Sequence, residues 1–289
     1  MKSIQLFLLA LLSAMIMSCE KLSLPEETTT NPKGNLTLTI YQIEQIPFES
    51  STRAVTTDAC TRLNFLVYNA EGTRVKQISQ KVGDSDFGTA SFQLESGTYR
   101  IVALAHSSSG NPTSTNPAKI QFSNTTTGFT DTFLYSDIIT IDDEPLTLPL
   151  TLKRIVALCR FIINDNIPSD VAKLEFEYTG GSGAFDAATG LGSVKSTQKV
   201  SFTSPQSQKE FDLYTFLHDL TGTIHLKVTA TDASANVIQQ REFDIPLQKN
   251  QITRFTGTFF SGGSTPTSRS TSISVTINTQ WDGEETLTY

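Results

Sequence analysis

Positive charge is in short supply in this chain: 22 Lys and Arg stand against 29 Asp and Glu, for a net charge of −7. No basic stripe is available for nucleic acid, and no polybasic patch for anionic lipid. Histidine is scarce as well. His106, His218 and His225 are the only three, and none has Glu or Cys at metal-ligand spacing, so no metal centre is expected. Gly180-Gly181-Ser182-Gly183-Ala184 stops one residue short of a G-x-S-x-G nucleophile elbow, and no Lys-Ser or Lys-Thr pair closes it into a phosphate loop. Asp84 and Asp86 lack the remaining ligands of a calcium loop. Asp142-Asp143-Glu144 reads as a charged turn, and His218-Asp219 has no nucleophile to serve. The chain is therefore not expected to be an enzyme or to carry a cofactor. Trp281 is the single Trp; it reads as a core plug, with stacking on a sugar as the other use of such a ring.

Long apolar runs are also missing, apart from one near the amino terminus. Residues 4–17 follow a lone Lys2, are too short for a stable span, and read as an export signal. Ile16-Met17-Ser18-Cys19 looks like a bacterial lipobox, with cleavage between Ser18 and Cys19 and a diacylglycerol on the Cys19 thiol; a plain signal peptide cut elsewhere is the alternative. Each buried methylene contributes about 0.8 kcal/mol, so two or three acyl chains hold a protein on a membrane where one would not. Residues 19–34, with Pro25, Glu26, Glu27 and Pro32, read as a tether. Of the other two cysteines, Cys60 and Cys159, each lies in a strand-like apolar run, and two buried free thiols are expected rather than a bridge.

No segment sustains a helical period. Thr, Ser and 18 Phe dominate instead, with short alternating runs between turn residues, which makes the expected fold all-β. Leu36, Leu38 and Ile40 alternate with hydroxyls. Runs at 63–68 and 73–78 flank Asn69-Ala70-Glu71-Gly72, and runs at 90–94 and 98–105 flank Glu95-Ser96-Gly97, two hairpins by their turn chemistry. Further strands are expected at 119–122, 133–141 and 146–152, and in a second half at 155–163, 173–178, 199–203, 209–216, 223–230, 237–245 and 253–259. Residues 180–192 read as a glycine-rich loop. Gly97-Thr98-Tyr99-Arg100-Ile101-Val102-Ala103 matches Gly222-Thr223-Ile224-His225-Leu226-Lys227-Val228 in pattern, each after a Phe-x-Leu run. This points to two domains of one architecture, 35–153 and 154–289, although two unrelated hairpins would share the same grammar. After a linker at 261–270, a terminal strand is expected within 271–289, with Ile273, Val275 and Ile277 on one face.

The lipobox, the run Cys60-Thr61-Arg62-Leu63-Asn64-Phe65-Leu66-Val67-Tyr68, Arg154-Ile155-Val156-Ala157, and Tyr178-Thr179-Gly180-Gly181-Ser182-Gly183 together resemble the FimB-like lipid-anchored fimbrial subunits of Bacteroidales. The resemblance covers nearly the whole chain and implies two tandem transthyretin-like antiparallel β-sandwiches behind a lipoprotein signal peptide. It also implies a place on the outer membrane and in a type V fimbrium, with fimbrial stalk subunits as partners. Stalk subunits of that kind are cut after an Arg, and Arg53-Ala54 resembles such a site. A cut there would sever Cys19 from both domains, so an anchor has to escape it, keep its own first strand, and offer Ile273, Val275 and Ile277 as a donor strand to a neighbour; the alternative is that this tail completes its own second domain. The alternative is a surface adhesin or glycan-binding lipoprotein that uses loops 107–117 or 180–192.

Overall fold

Leu36, Leu38, Ile40 and Ile43 are buried while Tyr41 is exposed. The alternation of the sequence becomes a strand with one face inward, β1 (Leu36–Ile43). The computed structural model describes residues 34–43, 46–47, 60–123, 128–261 and 283–289. The export signal, Ser18 and Cys19, the tether up to residue 33, Arg53 and Ala54, and Ile273, Val275 and Ile277 all lie outside the described residues.

In the first half β1 is followed by β2 (Ile46–Pro47), β3 (Arg62–Tyr68), β4 (Arg74–Lys81), β5 (Thr89–Phe92), β6 (Gly97–His106), β7 (Ile120–Gln121), β8 (Thr132–Ile141) and β9 (Leu146–Arg154). One layer has β1 at its centre, antiparallel to β5 and parallel to β9. The other runs β4-β3-β6-β8, antiparallel throughout. The layers join at one end only, where Phe133 and Leu134 of β8 pair with Arg154 and Lys153 of β9. Between them Leu36, Leu38, Leu150 and Leu152 meet Leu63, Phe65, Ile101, Ala103 and Phe133 in one core cluster.

The second half comprises β10 (Ala157–Ile163), β11 (Lys173–Thr179), β12 (Ala184–Asp186), β13 (Leu191–Gly192), β14 (Gln198–Thr203), β15 (Glu210–Thr215), β16 (Thr221–Thr231), β17 (Val237–Gln248), β18 (Gln251–Gly257) and β19 (Gly283–Thr288). Its layers are β15-β10-β18-β19 and β14-β11-β16-β17. Here too the first strand is antiparallel to one neighbour and parallel to the other, β15 and β18 respectively. Strand for strand, the order of the first half recurs. β6 and β16, which carry the matching sequences, occupy the same position in their layers, and so do β5 and β15. The fold is all-β and built of sandwiches, mostly antiparallel. The exceptions are the parallel pairs β1–β9, β10–β18 and β18–β19.

The stretches 63–68 and 155–163, apolar except at Asn64 and Arg160, are explained by burial on both faces at 63–68 and 155–159. Leu63, Phe65 and Val67 of β3 fill the first core, while Leu66 and Tyr68 point the other way into a third cluster with Val102, Leu104, Val156, Leu158, Phe216 and Ile252. That cluster draws on both halves. So does a small sheet in which Ala184 and Phe185 of β12 pair with Gln121 and Ile120 of β7. Residues 34–289 accordingly make one compact unit. Where the sequence suggested that β7 belongs with the first half and 180–192 is a loop, the chain uses both as a seam. The reason is that Phe122, Phe129, Phe185 and Phe216 need one another's rings, with centroids 4.9–6.4 Å apart.

Arg154 closes the seam. Its guanidinium donates from Nε and Nη2 to the Asp131 carboxylate at 2.7–3.0 Å, from Nη1 to Asn250 Oδ1 at 3.2 Å, and sits 4.6 Å over the Phe133 ring. Burial pushes the Asp131 carboxyl up from its ordinary pKa, and Arg154 opposes that shift. Arg154→Ala leaves this carboxylate without its guanidinium and is expected to cost about 2–4 kcal/mol in urea unfolding. Arg160→Ala, which breaks the more exposed pair with Asp212, is expected to cost about 1 kcal/mol or less.

Candidate functional site

The polar residues singled out in the sequence are consumed by structure. His106 is fully buried, with its Nε2 2.9 Å from Asn64 Oδ1 and its Nδ1 accepting from the Ser108 amide at 3.2 Å. His218 Nδ1 lies 2.8 Å from the Gly192 carbonyl, and His225 pairs with Asp244 across β16 and β17. The Asp84 carboxylate accepts from the Lys81 amide within its own turn. Among the described residues no three His, Cys, Asp or Glu side chains come together as a metal site. Cys60 and Cys159 are buried and free, in the first and second cores respectively, and burial pushes the Cys60 thiol up to about 12.

Ser182 is no nucleophile. Its hydroxyl donates to the Ala184 carbonyl and accepts from the Ala184 and Val194 amides at 3.1 and 3.2 Å, all of it buried. Gly180 has φ of +91°, and a Cβ there would lie 2.2 Å from the Thr223 carbonyl oxygen, so the glycines answer to packing and not to a ligand. Within 180–192, residues 181–185 are buried, which leaves Gly180, Ala188 and Thr189 as the exposed positions. Residues 107–117 are better placed. Most of them are exposed, held by Tyr68 Oη donating to the Ser114 carbonyl at 2.7 Å. Ser108, Ser109, Gly110 and Asn111 border a cleft of about 150 Å³ together with Phe122 and Phe129.

The feature that does not fit the repeat is β19. It adds in parallel to β18, with Phe255 opposite Leu287, at a position where the first half has no strand among the described residues. Leu287 is buried, and Tyr289 behind it enters the aromatic core. The Tyr289 ring stacks on Phe161 and Phe255 at 5.0 and 4.9 Å, approaches Phe243 at 4.9 Å, and lies under the Arg241 guanidinium at 5.3 Å. Its hydroxyl donates to the Ile162 carbonyl at 3.0 Å and its amide to the Thr256 carbonyl at 2.9 Å. Gly257 makes room for it, since a Cβ there would lie 2.3 Å from the Tyr289 oxygen. Where the chain leaves β18, the Asp165 carboxylate accepts from the amides of Phe259, Phe260 and Ser261 and from the Ser261 hydroxyl at 2.7–3.0 Å. Burial works to raise its pKa, but these donors prevail and hold it below the ordinary value. Of the tail expected within 271–289 the structure describes a strand at 283–288, seated in this molecule, while the expected strand carrying Ile273, Val275 and Ile277 falls outside the described residues, as does Trp281. Sequence reading placed Thr286 to Tyr289 in a strand-like end without giving Tyr289 a role, and it missed Asp165. The alternation of Leu287 and Tyr289 was the available signal for the first, and nothing local marks the second.

A family of unknown function, DUF6562, matches residues 27–289. The chain belongs to that family. This DUF6562 protein matches no curated protein. Among solved structures it is similar to a candidate adhesin from Bacteroides ovatus, with 15% identity, a TM-score of 0.50, and 72% of this chain and 81% of the other covered. A fimbrial assembly protein from Parabacteroides distasonis gives 11% identity and a TM-score of 0.40 over 79% and 92% of the two chains. The fimbrial anchor protein Mfa2 from Porphyromonas gingivalis gives 10% and 0.41 over 71% and 80%. At the first of these similarities the fold is shared; function is a separate matter.

Two outcomes are expected of the DUF6562 protein. Tyr289→Ala empties a slot between aromatic rings and is expected to lower stability by about 2–3 kcal/mol in urea titration. His106 is held down to about 4, first by burial and then by the charge of Arg62, from an ordinary value of 6.5. The folded state therefore resists protonation: its full stability is present above pH 6.5 and falls, by about 3 kcal/mol, as the pH drops toward 4. The loss is read as the part of the acid destabilisation that disappears in His106→Gln.

Proposed function

We propose that the protein is a surface-exposed lipoprotein of the outer membrane, tethered through Cys19, that serves as anchor or minor subunit of a fimbrium and meets its neighbour by β-strand addition. The observation that carries this reading is β19, a strand appended to a sandwich whose repeat is already complete without it. Such an appendage is the kind of element that is donated between subunits, because main-chain hydrogen bonds supply affinity and alternate side chains supply register. Ile273, Val275 and Ile277, just upstream of β19, offer the apolar face of the donor. In this reading residues 35–153 and 154–289 are the two domains, and Arg53-Ala54 stays uncut so that lipid and domains remain joined.

The mature protein taken from membranes is expected to have an intact mass that begins at an acylated Cys19. A species beginning at Ala54 would make it a processed subunit and end the anchor reading. Deletion of residues 270–289 is expected to leave a surface-located protein that no longer holds fimbriae. If the shortened protein still folds and retains them, donation by the tail is wrong.

A second reading, as an adhesin, is favoured by the cleft beside residues 107–117, which Ser108, Ser109 and Asn111 line together with Phe122 and Phe129. Binding on a glycan array that is lost when residues 107–111 are replaced would establish it.

A further inference from the structure

The two halves share a topology, so each has an edge of the same kind: the outer side of the strand that runs parallel to the half's first strand. In the second half this is β18, and β19 covers it. In the first half it is β9, whose outer side, among the described residues, is paired only at Lys153 and Arg154. Apolar surface lies along that open stretch. Leu146 and Leu148 of β9 and Tyr135 and Ile139 of β8 are only partly buried. An uncovered edge flanked by such side chains is a template for another strand.

Backbone direction distinguishes the two edges. In parallel pairing a residue turns both its amide and its carbonyl to one neighbour, and the next residue turns both to the other. The Leu146 amide donates to the Asn35 carbonyl at 2.8 Å, so residues 146, 148 and 150 face β1, and Thr147, Pro149 and Thr151 face outward. On β18 the Thr256 carbonyl accepts from the Tyr289 amide at 2.9 Å, while the Gly257 carbonyl accepts from Asn164 on the β10 side at 2.8 Å. Ile252, Arg254 and Thr256 therefore face β19. The central outward position is Arg254 on the covered edge and Pro149 on the open one. Pro149 offers no N–H, and its ring occupies the space a neighbouring backbone would need at about 4.8 Å.

We infer that Pro149 is the residue that bars strand addition to the first half and so restricts it to the edge of β18. A second proline, on β17, also lies on the side of its strand turned from its ladder partner, though there the side meets β18. Pro246 turns its backbone away from β16, and its carbonyl accepts from the Thr253 hydroxyl at 3.2 Å. The occupant excluded at β9 is an extended peptide with apolar residues at alternate positions, of which residues 283–289 are this chain's own example. The inference concerns which edge of the fold accepts a strand, and it stands or falls apart from the fimbrial reading.

The test uses the mature chain with Cys19→Ser, so that it stays without lipid, with and without Pro149→Val. In sedimentation equilibrium the Pro149→Val protein is expected to self-associate, or to bind a synthetic peptide of residues 283–289, at least tenfold more tightly than its parent. Hydrogen exchange is expected to show new protection at the amides of Thr147 and Thr151 in the associated form. In the parent those two amides are expected to exchange freely. If parent and variant associate equally, or if Thr147 and Thr151 are already protected in the monomeric parent, the inference is overturned. Pro149→Thr, which copies the flanking residues, provides the same comparison should the valine variant fail to fold.

Discussion

Burial of both faces of β3 and β10 is the constraint from which the rest of the molecule follows. A strand with one wet face can be held by one core, but these two must each be covered twice. Leu66 and Tyr68 need a cover that the first sandwich lacks, and Leu158 needs one that the second lacks. The halves meet because each completes the other, and the price is a seam that has to be dry. Arg154 with Asp131, the ring cluster around Phe216, and the pairing of β7 with β12 all serve to exclude water from it.

Much of this was legible in the sequence. Period-two alternation placed β1, β9 and β11 to within a residue or two, and the turn residues Asn69-Ala70-Glu71-Gly72 located the β3–β4 hairpin. Glu95-Ser96-Gly97 reads as a second hairpin but carries the chain from one layer to the other, since β5 pairs with β1 and β6 with β3 and β8. The strands buried on both faces showed themselves as apolar runs broken only at Asn64 and Arg160. The repeat was visible in the Gly-Thr openings of β6 and β16, and the topology carries the correspondence much further than those residues do.

What the sequence did not disclose depends on distance along the chain. Nothing near Ile120 announces Phe185 as its partner, and nothing near Asp165 announces the three amides of residues 259–261. Glycines 180, 181 and 183 read as a mobile loop because local rules see only backbone freedom. They are instead places where Thr223, Thr215 and Gln198 come too close for a side chain. The tail was expected as a strand, but its seat beside β18 depends on Gly257, a small residue whose purpose is apparent only once Tyr289 lies against it.

The parallel pairs also set an order of events. Leu36 finds its partner at Leu146, and Leu158 finds its own at Ile252, so neither sandwich can close until nearly its whole length of chain has arrived. Contacts of such long range make for slow folding. During that interval β1 and β10, the most apolar strands of their layers, wait without a parallel neighbour. A protein that emerges amino-terminus first would hold β1 with β5 on one side alone, and its other side would stay open until β9 appears.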